Sequence, residues 1–385
     1  MKILFGIPFL YPAIAYGGAA RAAYDLAKAL QRSGQQISVL TTDVWDQNHR
    51  FTDHCDPAPF EVLRLRNLSN SMAYWFQFYT VVGFKEKADL MLNDVDVVHL
   101  HTYRNLLNDR LARAAYRANI PFILTAHGTI PIIERFHQIK RFYDSIIGRW
   151  QLEHAAAIIA VSEPEKEKLE SFGIPESKIR VIPNGIPEIH PSLRGKFRER
   201  WRIGSNQKLV LFLGKITERK GLQFVVHALS QLGDVKLVIA GNDMGYQHKV
   251  ERIIKRLGLS GKIIQTGLLN DEEKTAALTD ADVTVYPSRD ETFGLVAVES
   301  ILCGTPVIVG NDDGCAQLIK KVGAGDLVGW GNVDELAHAI QGRLAKGRNL
   351  EEMRKAKEIL SKEYTWKGIA AETLKLYQRI GSAAL

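Results

Sequence analysis

Short runs of apolar, β-branched residues alternate along this 385-residue chain with longer segments of helical periodicity, and the alternation begins twice. The first series starts with "KILFGI" at Lys2 and the second with "LVLFLG" at Leu209. Continuous apolar strands separated by helices of about 10–15 residues are typical of βαβ units, in which helices cover both faces of a parallel sheet. We therefore predict an α/β fold of two doubly wound, Rossmann-like domains facing a central cleft, with ligands at the carboxyl ends of the strands.

The predicted strands fix the domain boundary. Those of the first series are "KILFGI", "ISVLTT", "FEVLRL", "VDVVHLH", "PFILTAH" and "AIIAVS"; those of the second are "LVLFLG", "VKLVIAG", "KIIQTG", "DVTVYPS" and "PVIVG". Between them lies "VIPNGIPEIHPSLRGKFRERWRIGSNQ", which is rich in proline, glycine and charge and which we interpret as the linker. The predicted domains are residues 1–187 and 188–385. The last helix, at about residues 366–381, has no strand after it, and the pattern leaves open whether it packs back on the first domain.

Cysteine usage and the apolar N-terminal stretch bear on where the chain resides. Cys55, Cys303 and Cys315 form no CxxC pair and are too few for a disulfide framework, which indicates a reducing compartment. The first residues imitate a secretory signal, but two prolines interrupt the apolar run, and a buried first strand is the better interpretation. Since no run of 18 apolar residues occurs, we expect a cytoplasmic protein, free in solution or at the inner face of the membrane.

The net charge of +7 comes mainly from the second half of the chain. Residues 191–385 contain 29 basic and 23 acidic residues, against 21 and 20 in residues 1–190. This distribution suits anionic small molecules in the second domain. Because no nucleic-acid reader motif interleaves with the basic residues, we expect no nucleic-acid partner.

Missing motifs exclude several function classes. Neither first strand is followed by GxGxxG, which argues against dinucleotide redox chemistry, and "GKIT" lacks the upstream glycine of a P-loop. The metal-like strings "DVD" at 94–96 and "DAD" at 280–282 each precede a buried strand, where acidic residues usually end a helix or turn. His99 and His101 alternate on a strand with no third ligand nearby, so we predict no metal site.

The stretch "DETFGLVAVES", which begins at Asp290, carries the strongest chemical signal. Glu291 and Glu299 lie on either side of Gly294, which lets a ligand approach the backbone. We predict a helix over "FGLVAVESILC", capped by Thr292 or Asp290, whose N terminus would bind phosphate. Because a carboxylate repels a diphosphate, each glutamate should face hydroxyl groups instead, such as those of the hexose and the ribose in a nucleotide sugar.

The stretch "LFLGKITERKG" supplies matching positive charge. It ends a predicted strand at Gly214 and places Lys215 and Lys220 ahead of a helix. Two lysines at a strand–loop–helix junction can neutralise a diphosphate without a metal ion. We therefore predict a donor site that needs no metal and no other cofactor.

Taken together, these motifs resemble the retaining glycosyltransferases of family 4, which have the two-domain GT-B fold. The resemblance extends over nearly the whole chain. Its parts, in order, are Gly17-Gly18, "DVVHLH" at 96–101, "TAHG" ending at Gly128, Val161-Ser162, "PNG" at 183–185, "GKITERKG", the pair Glu291 and Glu299, and "GTPVI" at 304–308. The chain departs from the commonest family pattern at Lys215, Thr292 and Gln317.

The resemblance implies roles for individual residues. Lys215 and Lys220 would hold the diphosphate, Glu299 the ribose and Glu291 the sugar, while His127 would lie beside the sugar near the reaction centre. The residues expected to act in catalysis are thus His127, Glu291, Lys215 and Lys220. The other donor-binding residues it implies are Gly17, Gly18, Gly214, Gly241, Leu268, Leu269, Thr292, Phe293, Gly294 and Leu295. The acceptor-side residues, besides His127, are Arg21, Ser162 and Asn184.

The acceptor side of the first domain also shows basic and aromatic patterning. The helix "RNLLNDRLARAAYR" places Arg110, Arg113 and Arg117 on one face. The segment "IIERFHQIKRFYDSIIGRW" places Phe136, Ile139, Tyr143 and Ile146 on one face, surrounded by Arg135, Lys140, Arg141 and Arg149, and "MAYWFQFYTVVGF" is dense in aromatic residues. A basic amphipathic helix beside an aromatic patch is a candidate for peripheral membrane contact. The alternative is that these helices cover the first sheet with solvated arginines.

The predicted reaction moves a hexose from a nucleoside diphosphate sugar to a saccharide or lipid-linked saccharide acceptor, with retention, in polysaccharide or glycoconjugate biosynthesis. The first domain would bind the acceptor and the second the donor, with a UDP-sugar favoured and a GDP-sugar second. Two alternatives stay open. One is a nucleotide-sugar epimerase or a phosphorylase of similar fold, and the other is a catalytically silent sugar-nucleotide-binding protein.

Overall fold

The computed structural model describes residues 1–52, 58–133, 136–189 and 194–383. Cys55 and Arg135, used above, lie outside these residues. The chain divides into two compact units, one of Met1–Gly185 with Tyr364–Leu385 and the other of Ile186–Glu363. Residues 188–385 were predicted to form the second domain, with the packing of the last helix left open; the structure places the segment from Tyr364 onward in the first unit.

The first unit is built on a parallel sheet. Its strands are β1 (Lys2–Gly6), β2 (Gln36–Thr42), β3 (Glu61–Leu65), β4 (Val97–His101), β5 (Phe122–Thr125), β6 (Ala157–Ala160) and β7 (Ile179–Val181). Its helices before the linker are α1 (Gly18–Arg32), α2 (Asn70–Phe76), α3 (Phe84–Met91), α4 (Leu106–Arg117), α5 (His137–Tyr143), α6 (Arg149–His154) and α7 (Glu163–Ser171), with a π-helix over Asp144–Gly148 between α5 and α6. The strand order is β3-β2-β1-β4-β5-β6-β7.

The second unit repeats this plan. Its strands are β8 (Lys208–Leu213), β9 (Val235–Ala240), β10 (Ile263–Gly267), β11 (Val283–Tyr286), β12 (Val307–Gly310) and β13 (Gly325–Val328). Its helices are α8 (Lys196–Arg200), α9 (Leu222–Leu229), α10 (Gln247–Arg256), α11 (Asp271–Asp280), α12 (Leu295–Leu302), α13 (Gly314–Val322), α14 (Val333–Lys346) and α15 (Leu350–Glu363). The sheet is parallel, in the order β10-β9-β8-β11-β12-β13. The two-domain Rossmann-like architecture predicted from the alternation is confirmed.

Side chains of each central strand alternate between two cores, as the period of a strand requires. On β1, Leu4 packs with Leu107 and Leu111 of α4 on one face of the sheet. Ile3 and Phe5 pack on the other face, in the core that includes α1. Both faces are therefore covered, which explains why the strands are continuously apolar.

A last helix, α16 (Trp366–Ala383), joins this second core of the first unit. Ile369, Ala370 and Tyr377 are buried in the same cluster as Phe5. The apolar stripe that the sequence shows over "WKGIAAETLKLYQRI" is therefore buried against the first sheet and α1. None of the helices in the described ranges is both long and apolar enough to cross a lipid bilayer.

Each sheet has one point where the strand order reverses direction, and there neighbouring loops diverge and leave room for a ligand. In the first unit β1 lies between β2 and β4, and in the second β8 lies between β9 and β11. The loop after β8 contains Lys215 and Lys220, and the loop after β11 contains Glu291. The fold thus brings the two stretches singled out from the sequence to one edge of the second sheet.

Two strands, β7 and β13, were not predicted from the sequence. Each lies at an edge of its sheet and is only three or four residues long, "IRV" and "GDLV". Both contain a charged residue, so neither shows the apolar run that marks the central strands. The predicted linker also contains α8, which is capped by tertiary contacts rather than by its own sequence.

Candidate active site

The loop after β8 packs closely on the loop after β9 through two glycines. Gly214 donates its amide to the Ala240 carbonyl at 2.9 Å, and Gly241 donates to the Gly267 carbonyl at 2.8 Å. A Cβ at Gly241 would lie 1.9 Å from the Gly214 carbonyl oxygen, and its φ of 146° also favours glycine. Gly214 and Gly241, expected on the donor side, are therefore needed for the backbone packing that shapes this strand edge.

Lys220 is buried at the end of a short 3-10 turn and contacts Glu291 directly. Its ammonium donates to the Glu291 carboxylate and to the Tyr286 hydroxyl, and it lies 4.6 Å from the centre of the Tyr286 ring. The Tyr286 hydroxyl donates to the same carboxylate at 2.8 Å, and the Arg219 guanidinium lies 3.7 Å from it. A lysine only 5 % exposed is rarely found in a protein without such pairing.

The charge state of Glu291 follows from these neighbours. Burial alone would raise the pKa of its carboxyl, but the Lys220 ammonium and the Arg219 guanidinium together outweigh that effect, so the pKa is held at about 2. Burial and the Glu291 charge raise the pKa of Tyr286 well above its usual value. At neutral pH the cluster therefore consists of an ionised carboxylate, an ammonium, a guanidinium and a neutral phenol.

Asp313, the N-cap of α13, holds the segment that precedes α12. Its carboxylate accepts the amides of Glu291 at 2.9 Å and Ala316 at 3.0 Å. Burial raises the pKa of Asp313 to about 7, and the Glu291 charge adds to this although both amides oppose it. Asp313 thus fixes the backbone that aims Glu291 at Lys220.

The predicted cap of α12 was wrong. Neither Thr292 nor Asp290 caps this helix; Gly294 occupies the N-cap with a φ of 78°, and no side chain caps the first turn. A Cβ at Gly294 would lie 2.2 Å from the Cys315 sulfur, so a tight approach of α13 explains the glycine. Phe293 beside it is buried, whereas Thr292 and Leu295 are half-buried near the N terminus of the helix.

Glu299 lies one turn inside α12 and forms a separate ion pair. Its Oε1 accepts from the Lys274 ammonium at 2.7 Å, and Lys274 also lies 3.5 Å from Asp271. Lys274 belongs to the first turns of α11, which Asn270 begins with a capping box. Leu268 and Leu269 precede this helix, the first exposed and the second buried. Lys274 was not predicted from the sequence, although the capping signal "NDEE" marks the start of its helix.

In the first unit, β4 carries two buried histidines, His99 and His101, and His101 contacts His127 in the loop after β5. Strand pairing sets His101 opposite Thr125, two residues before His127. His101 Nδ1 is 3.1 Å from His127 Nε2, and the two rings stack with centroids 5.4 Å apart. His99 is bonded on both nitrogens, to Thr125 and to Tyr377 of α16, at 2.6 Å each.

All three imidazoles are neutral at pH 7. Burial lowers the pKa of His99 and of His101 well below the usual value, and the neighbouring imidazoles add to the effect. Burial lowers the pKa of His127 to about 4. His127 can therefore serve as a hydrogen-bonding group, and it does not carry positive charge toward a ligand.

The other residues expected near the acceptor have clear structural partners. Gly17 is the N-cap of α1 with a φ of 96°, and Gly18 follows it, exposed. Arg21 pairs with Asp25 at 2.8 Å and lies over the Tyr11 ring. Ser162 caps α7. Asn184 is buried and lines a small cavity of the first unit together with His101, His127 and Trp366.

The two DxD strings have structural roles. Asp96 accepts the Lys2 amide at 2.7 Å, and Asp94 pairs with the Lys2 ammonium. Asp280 accepts the amides of Gly195, Phe197 and Arg198 and so caps α8 from another element, while Asp282 pairs with Arg198. These contacts agree with their interpretation as residues that end helices and turns.

An exposed apolar patch extends from α2 to α5. It consists of Phe76, Phe136, Ile139, Phe142 and Ile146, whose exposed fractions range from 38 to 67 %, and the Phe76 and Phe136 rings lie 5.6 Å apart. The predicted face was wrong at one position. Tyr143 turns inward and donates to the Asn105 carbonyl at 3.3 Å, whereas the adjacent Phe142 is exposed.

Two family models match this chain, one over each half. The model of "Glycosyltransferase Family 4" matches residues 16–188, and that of "Glycosyl transferases group 1" matches residues 194–359. An uncharacterized glycosyltransferase of Methanocaldococcus jannaschii is 28% identical and aligns over 98% of each chain. A phosphatidyl-myo-inositol mannosyltransferase of Mycobacterium leprae is 28% identical over 95% of this chain and 94% of its own.

Solved structures show the same fold. The Anabaena protein HepE in complex with UDP-glucose superposes with a TM-score of 0.74 at 21% identity, covering 97% of this chain and 99% of its own. At that identity the likeness concerns the fold alone.

Proposed function

Because the chain belongs to the family 4 glycosyltransferases with the GT-B fold, we propose that it transfers a hexose from a nucleoside diphosphate sugar, with retention at the anomeric carbon. The acceptor is a saccharide or a lipid-linked saccharide. The observation that carries the proposal is the buried contact of Lys220 with Glu291 at the strand-order reversal of the second sheet. A second ion pair, Lys274 with Glu299, lies one turn inside α12.

The donor diphosphate is assigned to the basic residues after β8. Lys215, Arg219 and Lys220 lie in one short loop, and Lys220 is held in place by Tyr286 and Glu291. Fixed positive charge in a buried site stabilises a departing phosphate more than it would in water. This supports a reaction that needs no metal ion, since these three side chains supply the neutralising charge.

The two glutamates are assigned to hydroxyl groups at the two ends of the donor. Glu291 accepts from the Tyr286 hydroxyl in this structure, which shows the geometry of a hydroxyl acceptor. Glu299 has one oxygen on Lys274, and its other oxygen would accept from the ribose. Glu291 is ion-paired and its pKa is held at about 2, which makes it a weak nucleophile, so we favour direct attack by the acceptor over a covalent glycosyl-enzyme.

The proposed chemical step balances without a cofactor. The bond between the anomeric carbon and the diphosphate oxygen breaks, the acceptor oxygen bonds to the same face, and the acceptor proton leaves with the diphosphate. His127, neutral and fixed by His101, would hydrogen-bond a sugar hydroxyl near this centre. A UDP-sugar is proposed first and a GDP-sugar second.

The apolar patch supports contact with a membrane surface. Its five apolar side chains are bordered by the exposed cations Arg141 and Arg149. Apolar residues that enter the headgroup region, flanked by basic residues, are typical of proteins that bind anionic bilayers from one side. Such contact would bring the first unit to a lipid-linked acceptor at the inner face of the membrane.

The test is release of nucleotide from a panel of UDP-, GDP- and ADP-sugars in the presence of EDTA. We expect one donor to be consumed slowly, and Lys220→Ala to lower kcat by roughly 10²–10³-fold, as loss of one buried group on a developing anion does. Lys208→Ala, an exposed lysine at the other end of β8, is the matched control and should keep wild-type turnover. Silence of the wild type with every donor, or full activity of Lys220→Ala, would contradict the proposal.

A further inference from the structure

The loop that carries His127 has an unusual backbone conformation. His127 has a φ of 50° and Gly128 a φ of 72°, so two consecutive residues are left-handed. A non-glycine residue in this region costs roughly 1 kcal/mol, and its surroundings must hold it there. Whatever holds this turn therefore also sets the direction of the His127 ring.

One restraint acts on the ring and another on the backbone. The ring is bonded to His101 at 3.1 Å, and His101 is itself fixed within β4. The backbone is bonded through the Gly128 amide, which donates to Glu165 Oε1. Glu165 Oε2 accepts the Val161 amide at 2.6 Å, so the carboxylate joins the end of β5 to the end of β6.

Glu165 departs from the behaviour expected of its position in the helix. It is the third residue of α7, after the N-cap Ser162, where a glutamate usually bonds back to the N-cap amide in a capping box. Ser162 does accept the Glu165 amide, at 3.4 Å, but the Glu165 side chain reaches past it to Val161 and across to Gly128. The cap does not require this second set of contacts.

The carboxylate also lies where a carboxylate is costly. Glu165 is 1 % exposed, and within the described residues it contacts two backbone amides and forms no ion pair. Burial raises its pKa to about 7 against the effect of both amides. A buried acid bonded to a left-handed loop beside a candidate active-site histidine indicates a role in holding that loop.

We propose that Glu165 is a positioning residue that fixes the Gly128 amide and thereby orients the His127 imidazole for sugar transfer. The inference rests on the proposed function for its catalytic consequence, but its structural content concerns His127 alone. Glu165 does not touch the donor or the acceptor in this scheme. It acts through the turn that it holds.

The test compares Glu165→Gln with Glu163→Gln, an exposed neighbour in the same first turn. A glutamine has one acceptor oxygen and so must lose one of the two amide bonds. We expect Glu165→Gln to lower kcat roughly 10–100-fold with the donor KM unchanged within about twofold, because a catalytic group displaced by about 1 Å costs rate rather than affinity. Glu163→Gln should match the wild type.

Imidazole NMR supplies the readout that a merely structural role would not move. The His127 signals, assigned by their loss in His127→Gln, should show one neutral tautomer in the wild type and a titration well below pH 6.5. In Glu165→Gln we expect mixed tautomers and a midpoint closer to 6.5. A folded Glu165→Gln protein with unchanged His127 signals and unchanged kcat would overturn the proposal.

Two further outcomes are covered by separate measurements. If Glu165→Gln does not fold, the Gly128 amide of the wild type is examined alone: it should resonate far downfield and exchange slowly, and a rapidly exchanging amide would refute the bond. If the wild type consumes no donor, the proposed function fails, while the His127 signals still decide whether Glu165 positions the ring.

Discussion

At the scale of single residues, the candidate donor site depends on which carboxylate each lysine meets. Lys220 meets Glu291 together with a tyrosine hydroxyl and a guanidinium, whereas Lys274 meets Glu299 at the edge of α11. In both pairs one member comes from the stretch around α12 and the other from a loop or helix of a different βα unit. The pairs therefore form only when the second unit is folded, and each joins a proposed donor-binding residue to the scaffold.

Lys274 is predicted to orient Glu299 for the donor. In Lys274→Met the Glu299 carboxylate loses the partner that fixes one of its oxygens at 2.7 Å, so its other oxygen is no longer directed. We expect the KM for the donor to rise roughly 10–100-fold, the equivalent of one charged hydrogen bond, with kcat little changed. Steady-state kinetics with the donor identified in the panel measure both parameters.

The matched control for this variant is Lys255→Met, which removes an exposed lysine from α10. It should leave both parameters at wild-type values. A Lys274→Met protein with the wild-type donor KM would show that the ion pair only stabilises the fold.

The sequence pointed to some members of this site and not to others for a physical reason. Glu291, Glu299 and Lys220 stand in local patterns of glycine, charge and apolar residues that are visible along the chain. Lys274, Tyr286 and Asp313 have their roles only through contacts between elements, which single-sequence patterns do not encode. The erroneous cap of α12 has the same origin, because Gly294 is required by the approach of Cys315 from α13.

At the level of elements, contacts with neighbouring segments fix the irregular helix that joins α5 to α6 and decide which side chains of α5 are exposed. The π-helix over Asp144–Gly148 is anchored by Arg104, whose guanidinium pairs with Asp144 at 2.8 Å and donates to the carbonyls of Thr129 and Ile130. A regular helical wheel predicted Tyr143 on the apolar face, whereas Phe142 is exposed there and Tyr143 packs edge-on against Tyr103. Because both residues border that face, the 3.6-residue period alone does not decide which of them is exposed.

The exposed patch leads to a prediction about α5. Replacing Ile139 and Phe142 together by serine removes two side chains that are 65 % and 67 % exposed. Burial of each in a bilayer contributes about 1.5–3 kcal/mol, so we expect the double variant to lose at least tenfold in binding to anionic vesicles at low salt. Sedimentation with vesicles measures the bound fraction.

Leu350→Ser is the control for surface hydrophobicity, because Leu350 is 78 % exposed on α15 of the other unit. It should bind vesicles like the wild type. Equal sedimentation of all three proteins, or no sedimentation of any, would contradict the proposal that this patch binds a membrane surface.

At the scale of the whole molecule, the C-terminal segment makes the first unit discontinuous in sequence. After the second unit ends at Glu363, α16 returns to the first sheet, and Tyr377 bonds to His99 on β4. The strand alternation predicted two domains and their order, since each βαβ unit is local. The strand alternation did not predict where α16 packs, because an apolar stripe on a helix can be buried against either sheet.

The burial of His99 makes the stability of the first unit depend on pH. Because the pKa of His99 is lowered on folding, the unfolded chain binds its proton first, and the His99 contribution is present above about pH 6.5 and is lost as the pH falls below it. We expect the stability difference between wild type and His99→Gln to decrease by up to about 1.4 kcal/mol per pH unit below 6.5. Denaturant unfolding at several pH values measures it.

The stability of the variant is compared with that of the wild type at each pH because Glu165 and Asp313 change the stability with pH in the opposite direction. Their raised pKa values mean that their contribution is present at low pH and is lost as the pH rises toward about 7. His338→Gln, which replaces an exposed histidine on α14, is the matched control. A constant difference for His99→Gln would mean that His99 keeps the same protonation in both states.

The proposed reaction moves a sugar from a nucleoside diphosphate donor with retention at the anomeric carbon. The most direct measurement is proton NMR of the anomeric signals while the enzyme consumes the donor found in the panel, in EDTA, with spectra recorded before the released sugar mutarotates. We expect that an α-configured donor first yields α-configured sugar or glycoside, and that Lys220→Ala yields almost none. A product that first appears with the opposite configuration, or a donor left intact at every enzyme concentration, would contradict it.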